Sequence, residues 1–262
     1  MQAALGGQFS VLLDFQGRLW LLGRVDGEYQ ETYLPKQIPN VTNIKCVSAG
    51  AAHMACCTYG GSLLTYGAHD IPQGIIDDGF EIVTNIPPVE SVACGVKYTI
   101  AIDTEGNAWS YGRNSCGELG YQGDSLEKHP KRIENLKNIV SVACGEFHSL
   151  FLDAQQKVYS CGLNTEGQLG QGNFDDVDSP SLIPCLPNVQ EIACGNSFSV
   201  VLSDSKVLAF GYNYHAELGV ATAEYKLNVP YYVPGLSKIA DISCGKHHTL
   251  CIDTNSMGLG VW

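Results

Sequence analysis

Short apolar runs broken by polar turns recur along the whole chain, and they recur in step. Ser91-Val92-Ala93-Cys94-Gly95, Val142-Ala143-Cys144-Gly145, Ile192-Ala193-Cys194-Gly195 and Ile242-Ser243-Cys244-Gly245 each end on a glycine, at a spacing of 50 residues. Looser copies end at Gly50 and Gly6, with gaps of 45 and 44. Eight residues beyond each glycine stands a short polar residue: Asp14, Thr58, Asp103, Asp153, Ser203 and Asp253. Apolar-rich segments fill the interval, at Phe9 to Leu13, His53 to Cys57, Tyr98 to Ile102, His148 to Leu152, Phe198 to Leu202 and His248 to Ile252. A fixed period of this length signals a solenoid, a propeller or an array of repeats.

The polar residue opens a turn. Asp14-Phe15-Gln16-Gly17, Asp103-Thr104-Glu105-Gly106, Asp153-Ala154-Gln155-Gln156 and Ser203-Asp204-Ser205 each separate two apolar runs, which is a hairpin signal. The fourth period predicts strands over His148 to Leu152, Lys157 to Cys161, Ser181 to Leu186 and Val189 to Ala193. Helical periodicity is absent, and four short strands per period make one propeller blade. A parallel β-helix would need a much shorter period. After the second strand, periods three to five share a loop: Asn114-Ser115-Cys116-Gly117-Glu118-Leu119-Gly120, Asn164-Thr165-Glu166-Gly167-Gln168-Leu169-Gly170 and Asn213-Tyr214-His215-Ala216-Glu217-Leu218-Gly219. Asn and Gly suit left-handed backbone there while the Leu plugs the blade, a structural role. Arg24 to Tyr29 and Ala68 to Gly74 replace this loop in the first two periods.

Composition narrows the function classes. The 262 residues, 45 % hydrophobic and 16 % charged, describe a folded chain, and the repeat favours one body over residues 1–262. A net charge of -12 argues against nucleic acid as a partner, because phosphate affinity comes from clustered Lys and Arg. The richest basic cluster, Lys128, His129, Lys131, Arg132 and Lys137, reads as a solvated loop face. Four of the eleven cysteines, Cys94, Cys144, Cys194 and Cys244, fill one repeat slot as small buried side chains. With no C-x-x-C pair, a zinc site is not expected, and the compartment reads as reducing and intracellular, cytoplasmic or nuclear. No apolar run approaches 18 residues and no basic-then-apolar leader follows Met1, so neither a membrane span nor a secretory signal is expected.

The period, with its V-A-C-G-x-x-H-[ST], L-x-x-D-x-x-G and N-x-x-G-Q-L-G motifs, resembles that of the regulator of chromosome condensation family over nearly the whole chain. The resemblance implies a β-propeller, usually of seven four-stranded blades. Five whole periods are present, and a sixth stops at Trp262. This implies a fragment of a longer propeller, the preferred reading, or closure with fewer blades, or a sixth blade finished by another segment or molecule. The founding member of the family is an exchange factor for the small GTPase Ran, and the resemblance implies contacts through acidic side chains and a His at the corners after the repeat glycines. The corners here are Gly7-Gln8-Phe9, Ala51-Ala52-His53, Val96-Lys97-Tyr98, Glu146-Phe147-His148, Asn196-Ser197-Phe198 and Lys246-His247-His248. Only Glu146 is acidic, while His247-His248 keeps a His pair where the exchange factor also has one.

Catalytic chemistry finds no foothold: G-x-S-x-G, G-x-x-x-x-G-K-[ST] and H-E-x-x-H are all missing. His53, His148 and His248 alternate with Phe9, Tyr98 and Phe198 in one slot and read as packed rings, which leaves His247 as the histidine to test. Asp77-Asp78 and Asp175-Asp176-Val177-Asp178 read as solvated loop tips. Trp20, Trp109 and Trp262 read as core in one second-strand slot, too few for the light sensing known in a plant ultraviolet photoreceptor of this family. The expected function is a protein-interaction scaffold without cofactor or metal, the alternative being exchange on a Ran-like GTPase. Its partner would be a protein, either a small GTPase or a ubiquitin-pathway component. Chromatin binding would need a basic tail or loops that this acidic chain does not show. The candidate contact residues are Lys97, Glu146, Lys246, His247, Asp175 and Asp176, with the loops Ile71 to Glu81, Asp124 to Lys131 and Asp175 to Pro180.

Overall fold

In the computed structural model, residues 1–25, 32–67, 79–254 and 259–262 are described, and all of their regular structure is β. Blade 1 holds β1 (Gln2–Leu5), β2 (Phe9–Leu13), β3 (Leu19–Gly23) and β4 (Thr32–Gln37). Blade 2 holds β5 (Ile44–Ala49), β6 (His53–Thr58), β7 (Leu63–Gly67) and β8 (Phe80–Ile82), and blade 3 holds β9 (Val89–Cys94), β10 (Tyr98–Asp103), β11 (Ala108–Arg113) and β12 (Leu126–Arg132). Blade 4 comprises β13 (Ile139–Cys144), β14 (His148–Asp153), β15 (Val158–Gly162) and β16 (Val177–Leu182), and blade 5 comprises β17 (Val189–Cys194), β18 (Phe198–Ser203), β19 (Lys206–Tyr212) and β20 (Lys226–Tyr232). Blade 6 has three described strands, β21 (Ile239–Cys244), β22 (Thr249–Asp253) and β23 (Leu259–Val261). Every pairing between neighbours is antiparallel.

The phase of the repeat differs from the sequence reading. The strand over Val189 was expected to complete the fourth blade, but β17 pairs with β18 and opens the fifth. The reason is the repeat glycine itself. Gly145 N–H donates to the His148 carbonyl at 2.8 Å and turns β13 back onto β14 as a hairpin, and Gly50, Gly95 and Gly195 do the same. The outer strand of blade 4 also starts earlier than expected, at Val177 rather than Ser181. Likewise Leu126 to Lys131, expected as loop, lies in β12, an outer strand whose Lys128, His129, Pro130 and Lys131 blunt its free edge.

Contacts divide the chain into two compact units, Met1–Asn114 with Gly123–Glu134, and Ser115–Gln122 with Asn135–Trp262. Within each unit the blades stack in chain order. In the first, β5 packs on β1 and β2, and β9 packs on β5 and β6; in the second, β17 packs on β13 and β14, and β21 packs on β17 and β18. Strands β10, β14 and β18 are buried along their whole length, and their sequences are nearly continuous apolar runs. Strand β2, in the first blade of the chain, alternates buried and partly exposed residues instead. The cores lie between the sheets: Val11, Leu19 and Leu21 cluster with Ile44, Val47 and Met54, and Leu150, Leu152 and Val158 cluster with Ile192, Val201 and Phe210.

Candidate interaction surface

Each blade corner is built by a glycine that makes room for a ring. A Cβ on Gly6, Gly95, Gly145, Gly195 or Gly245 would lie inside the ring of Phe9, Tyr98, His148, Phe198 or His248 three residues on, so the glycine and the ring slot occur together. Backbone hydrogen bonds then tie corner to corner. Gly7 N–H donates to Ala51 O at 3.0 Å and Ala51 N–H to Val96 O at 3.4 Å in the first unit; Glu146 N–H donates to Asn196 O at 3.0 Å and Asn196 N–H to Lys246 O at 3.1 Å in the second. Each ladder fixes the backbone of consecutive corners and leaves the next side chain of each corner pointing at solvent or half covered.

The packed-ring reading holds for two of the three slot histidines. His53 and His148 are buried, and each Nε2 meets a hydroxyl of the following blade, Thr99 Oγ1 at 3.1 Å and Ser199 Oγ at 2.9 Å. Ser199 in turn donates to the Gln168 carbonyl at 2.8 Å, so a relay of polar groups joins blade 4 to blade 5. Burial drops the His148 pKa to about 3, and the ring is neutral at physiological pH. His248, in contrast, is exposed.

The turn aspartates are structural. Asp103 Oδ1 accepts Glu105 N–H and Asn107 N–H, both at 2.9 Å, and Oδ2 accepts Trp109 Nε1–H at 2.9 Å. Partial burial opposes ionisation of Asp103, but bonds from Asn107 and Trp109 outweigh it and hold the carboxyl below its usual range. Asp14 repeats this with Trp20 at 3.0 Å, and Asp153 substitutes the Tyr159 hydroxyl at 3.3 Å. Trp20 and Trp109 are thus half-exposed lids on turn carboxylates and not core. Trp262 occupies a different register: its backbone pairs with Thr249, and its ring packs against the second unit's core beside Gly219.

The cysteine slot is buried at Cys94 and half buried at Cys144, Cys194 and Cys244, rather than buried in all four copies. Cys94 is buried against β5, its N–H bonded to Ser48 Oγ at 3.0 Å, and burial pushes the thiols of Cys94 and Cys244 up to about 12 and that of Cys194 up as well. Such thiols are poor nucleophiles. None of the eleven cysteines is in a disulfide.

The remaining candidates fall in different places. Lys97 is exposed at a corner of the first unit. Glu146, Lys246 and His247 share the corner ladder of the second unit, Glu146 half buried and the other two exposed. Asp175 and Asp176 are both exposed, yet Asp176 Oδ1 accepts the Asn164 N–H at 2.7 Å and so braces the loop of blade 4. The replacement loops of the first two periods, most of Ile71 to Glu81 and the pair Asp77-Asp78 lie outside the described residues. No group of three or more His, Cys, Asp or Glu able to hold a metal occurs among the described residues, and none of their helices could cross a membrane, since they contain no helix.

Sequence reading missed an aromatic face on blade 5. Tyr214 and Tyr225 are 59 % and 60 % exposed, with ring centroids 5.1 Å apart, and Tyr214 also meets His215 edge-on at 5.1 Å. The His215 ring lies 6.2 Å from that of His247. The available signal was Tyr214-His215 at the two variable positions of the Asn213 loop, where the other copies carry small or charged residues.

A sequence model described as RCC1-like domain matches residues 1–251. Protein RCC2 of Homo sapiens is 34 % identical over 130 residues, 44 % of this chain and 25 % of that protein. The probable E3 ubiquitin-protein ligase HERC4 of Rattus norvegicus is 33 % identical over 118 residues, 42 % of this chain and 11 % of that protein. The chain therefore spans at most about a quarter of the length of either relative. Among solved structures, human WBSCR16 superposes with a TM-score of 0.86 at 20 % identity, covering 99 % of this chain and 76 % of that one. Prp20p of Saccharomyces cerevisiae, solved in a study of its binding properties to Gsp1p and histones, superposes with a TM-score of 0.86 at 21 % identity, covering 95 % and 67 %. At these identities the likeness shows the fold, a β-propeller of four-stranded blades.

Proposed function

The chain belongs to the RCC1-like domain family, and from that premise we propose that it is a protein-interaction scaffold whose blade corners and connecting loops present the binding surface. One observation carries the reading: within each unit the corner ladder holds the backbone of successive blades, while Lys97 faces solvent in the first unit and Lys246 and His247 do so in the second, where Glu146 is half buried. Side chains preset on a stiff frame lose little entropy on binding, which is how loops on a scaffold acquire specificity. The buried polar residues support the same reading, because His148, Ser199, Asp103 and Gln168 spend their hydrogen bonds on the fold. The cysteines, none of them in a disulfide, fit an intracellular setting. Affinity purification from the native cell, comparing the wild type with K246E/H247E, tests it. A partner whose recovery falls at least tenfold with the variant is the expected result, and retention of every partner would refute a role for this corner.

A second reading, nucleotide exchange on a Ran-like GTPase, draws on the Prp20p likeness and on the His247-His248 pair. Exchange loosens the magnesium and phosphate site by inserted groups and carboxylates, and Glu146 is the one acidic corner residue. Release of a fluorescent nucleotide from a panel of small GTPases separates the readings. Acceleration at substoichiometric protein, lost in E146A, would establish exchange; an unchanged rate leaves the scaffold alone.

A further inference from the structure

The Asn213 loop carries a charge that its own geometry does not require. Glu217 is completely buried, and its Oε2 accepts the His215 N–H at 2.8 Å. In blade 4 the same position is Gln168, whose Oε1 accepts the Glu166 N–H at 2.9 Å. An amide oxygen therefore closes this turn as well as a carboxylate does. At position 217 the second oxygen, Oε1, is buried without a hydrogen-bond partner. Its nearest cationic candidate is His247 Nδ1 at 3.8 Å, beyond hydrogen-bond reach. A buried carboxylate oxygen left unsatisfied is costly, so a group that satisfies it binds with a corresponding gain.

The surroundings specify the group. Over Glu217 lies the exposed His247, followed by His215, Tyr214 and Tyr225 in ring-to-ring contact, with Tyr212 stacked 6.3 Å from Tyr214 at 23°. Burial, and then the charges of Glu217 and Glu166, push the Tyr212 phenol up, so this face is acidic as well as aromatic. Glu166 is already matched by Lys226 at 3.1 Å, whereas Glu217 has only the His247 ring at 3.8 Å. Ring faces beside a desolvated carboxylate attract a cation twice over, through the quadrupole and through the charge.

We propose that this face of blade 5 binds the guanidinium or ammonium group of an Arg or Lys side chain on a basic protein segment, with Glu217 as the buried anion, Tyr214 and Tyr225 as the ring contacts and His247 as the cover displaced on binding. The net charge of -12 favours such a partner over a nucleic acid. The inference deepens the scaffold reading and rests on it.

Anisotropy titration with a labelled alternating Arg-Gly decapeptide, against the same peptide with citrulline at every Arg, tests the site. The expected result is at least tenfold tighter binding of the arginine peptide, falling about tenfold in Y214A/Y225A and in E217Q. The tyrosine pair is exposed and uncharged, so its removal leaves both fold and overall field intact. His247→Lys, also at an exposed position, would hold an ammonium over Glu217 and block the peptide even if E217Q proved unstable. Equal binding of the two peptides, or arginine-peptide affinity unchanged in Y214A/Y225A and H247K, would overturn the site and assign any binding to net charge. That outcome leaves the scaffold reading intact, since the K246E/H247E purification decides it separately.

Discussion

Burial sets the charge of His148, and the consequence is a pH dependence of stability. The folded pKa, about 3, lies below the unfolded value of 6.5, so between these values the unfolded chain binds the extra proton. Stability is therefore fully present above pH 6.5 and falls as the pH drops toward 3, by up to about 1.4 kcal/mol per pH unit from this residue. Phe occupies the equivalent position in blades 1 and 5, so H148F should fold and should lose this part of the acid sensitivity. Urea midpoints at pH 4.5 and 7.5 check it: the gap should narrow in the variant, and an unchanged gap would show that His148 is not the group responsible. The packed role of this histidine was legible from its alternation with Phe and Tyr. Its partner was not, because Ser199 lies 51 residues away and meets the ring only when two blades stack.

At the scale of the strand, a second set of glycines limits what each blade tolerates. Gly162 adopts φ +108°, and a Cβ there would collide with the backbone of Phe147 and His148, where Leu163 N–H bonds the Phe147 carbonyl at 2.8 Å. Neither obstacle is a flexible side-chain tip. G162A should cost about 3 kcal/mol or more, whereas G235A, at φ +80° with nothing within 4 Å, should cost about 1 kcal/mol. Chemical denaturation of the two variants gives the comparison, and equal costs would mean that backbone strain alone governs both sites. Position 162 has counterparts at Gly23, Gly67, Gly112 and Gly211, all with positive φ, yet its role was not legible in the sequence. The collision is with a neighbouring strand and leaves no local turn signature. Between blades, Glu191 on β17 and Asp241 on β21 occupy the same repeat position and face each other. Burial, then the shared hydrogen bond and repulsion from Asp241, raise Glu191 to about 7. A raised carboxyl binds the proton in the folded state, so stability falls as the pH climbs from 4.5 to 7 and stays reduced above it. With Glu191 half exposed, E191Q should recover on the order of 1 kcal/mol at pH 8 and nothing at pH 4. Thermal melts at the two pH values decide it, and equal gains at both would remove titration as the cause.

For the molecule as a whole, the acidic balance governs behaviour in solution. A charge of -12 at pH 7 and a pI near 4.9 predict a solubility minimum close to pH 5, visible as turbidity that is absent at pH 7.5. Clear solutions throughout that range would show that exposed apolar residues and charge do not control association. The scaffold and cation-site proposals also belong to this scale, since each asks what the surface recognises. The β-strands and their number per period were written in the spacing of Gly95, Gly145, Gly195 and Gly245, and the family resemblance in the motifs around them, because every blade solves the same local problem of turning at a glycine under a ring. What no spacing could disclose is where one blade ends and the next begins, which depends on which strand pairs across the turn. Nor could spacing show that Glu217 is buried under the exposed His247 ring. Its neighbours come from the loop of blade 5 and the corner of blade 6, and only stacking the two sheets brings them within range of each other.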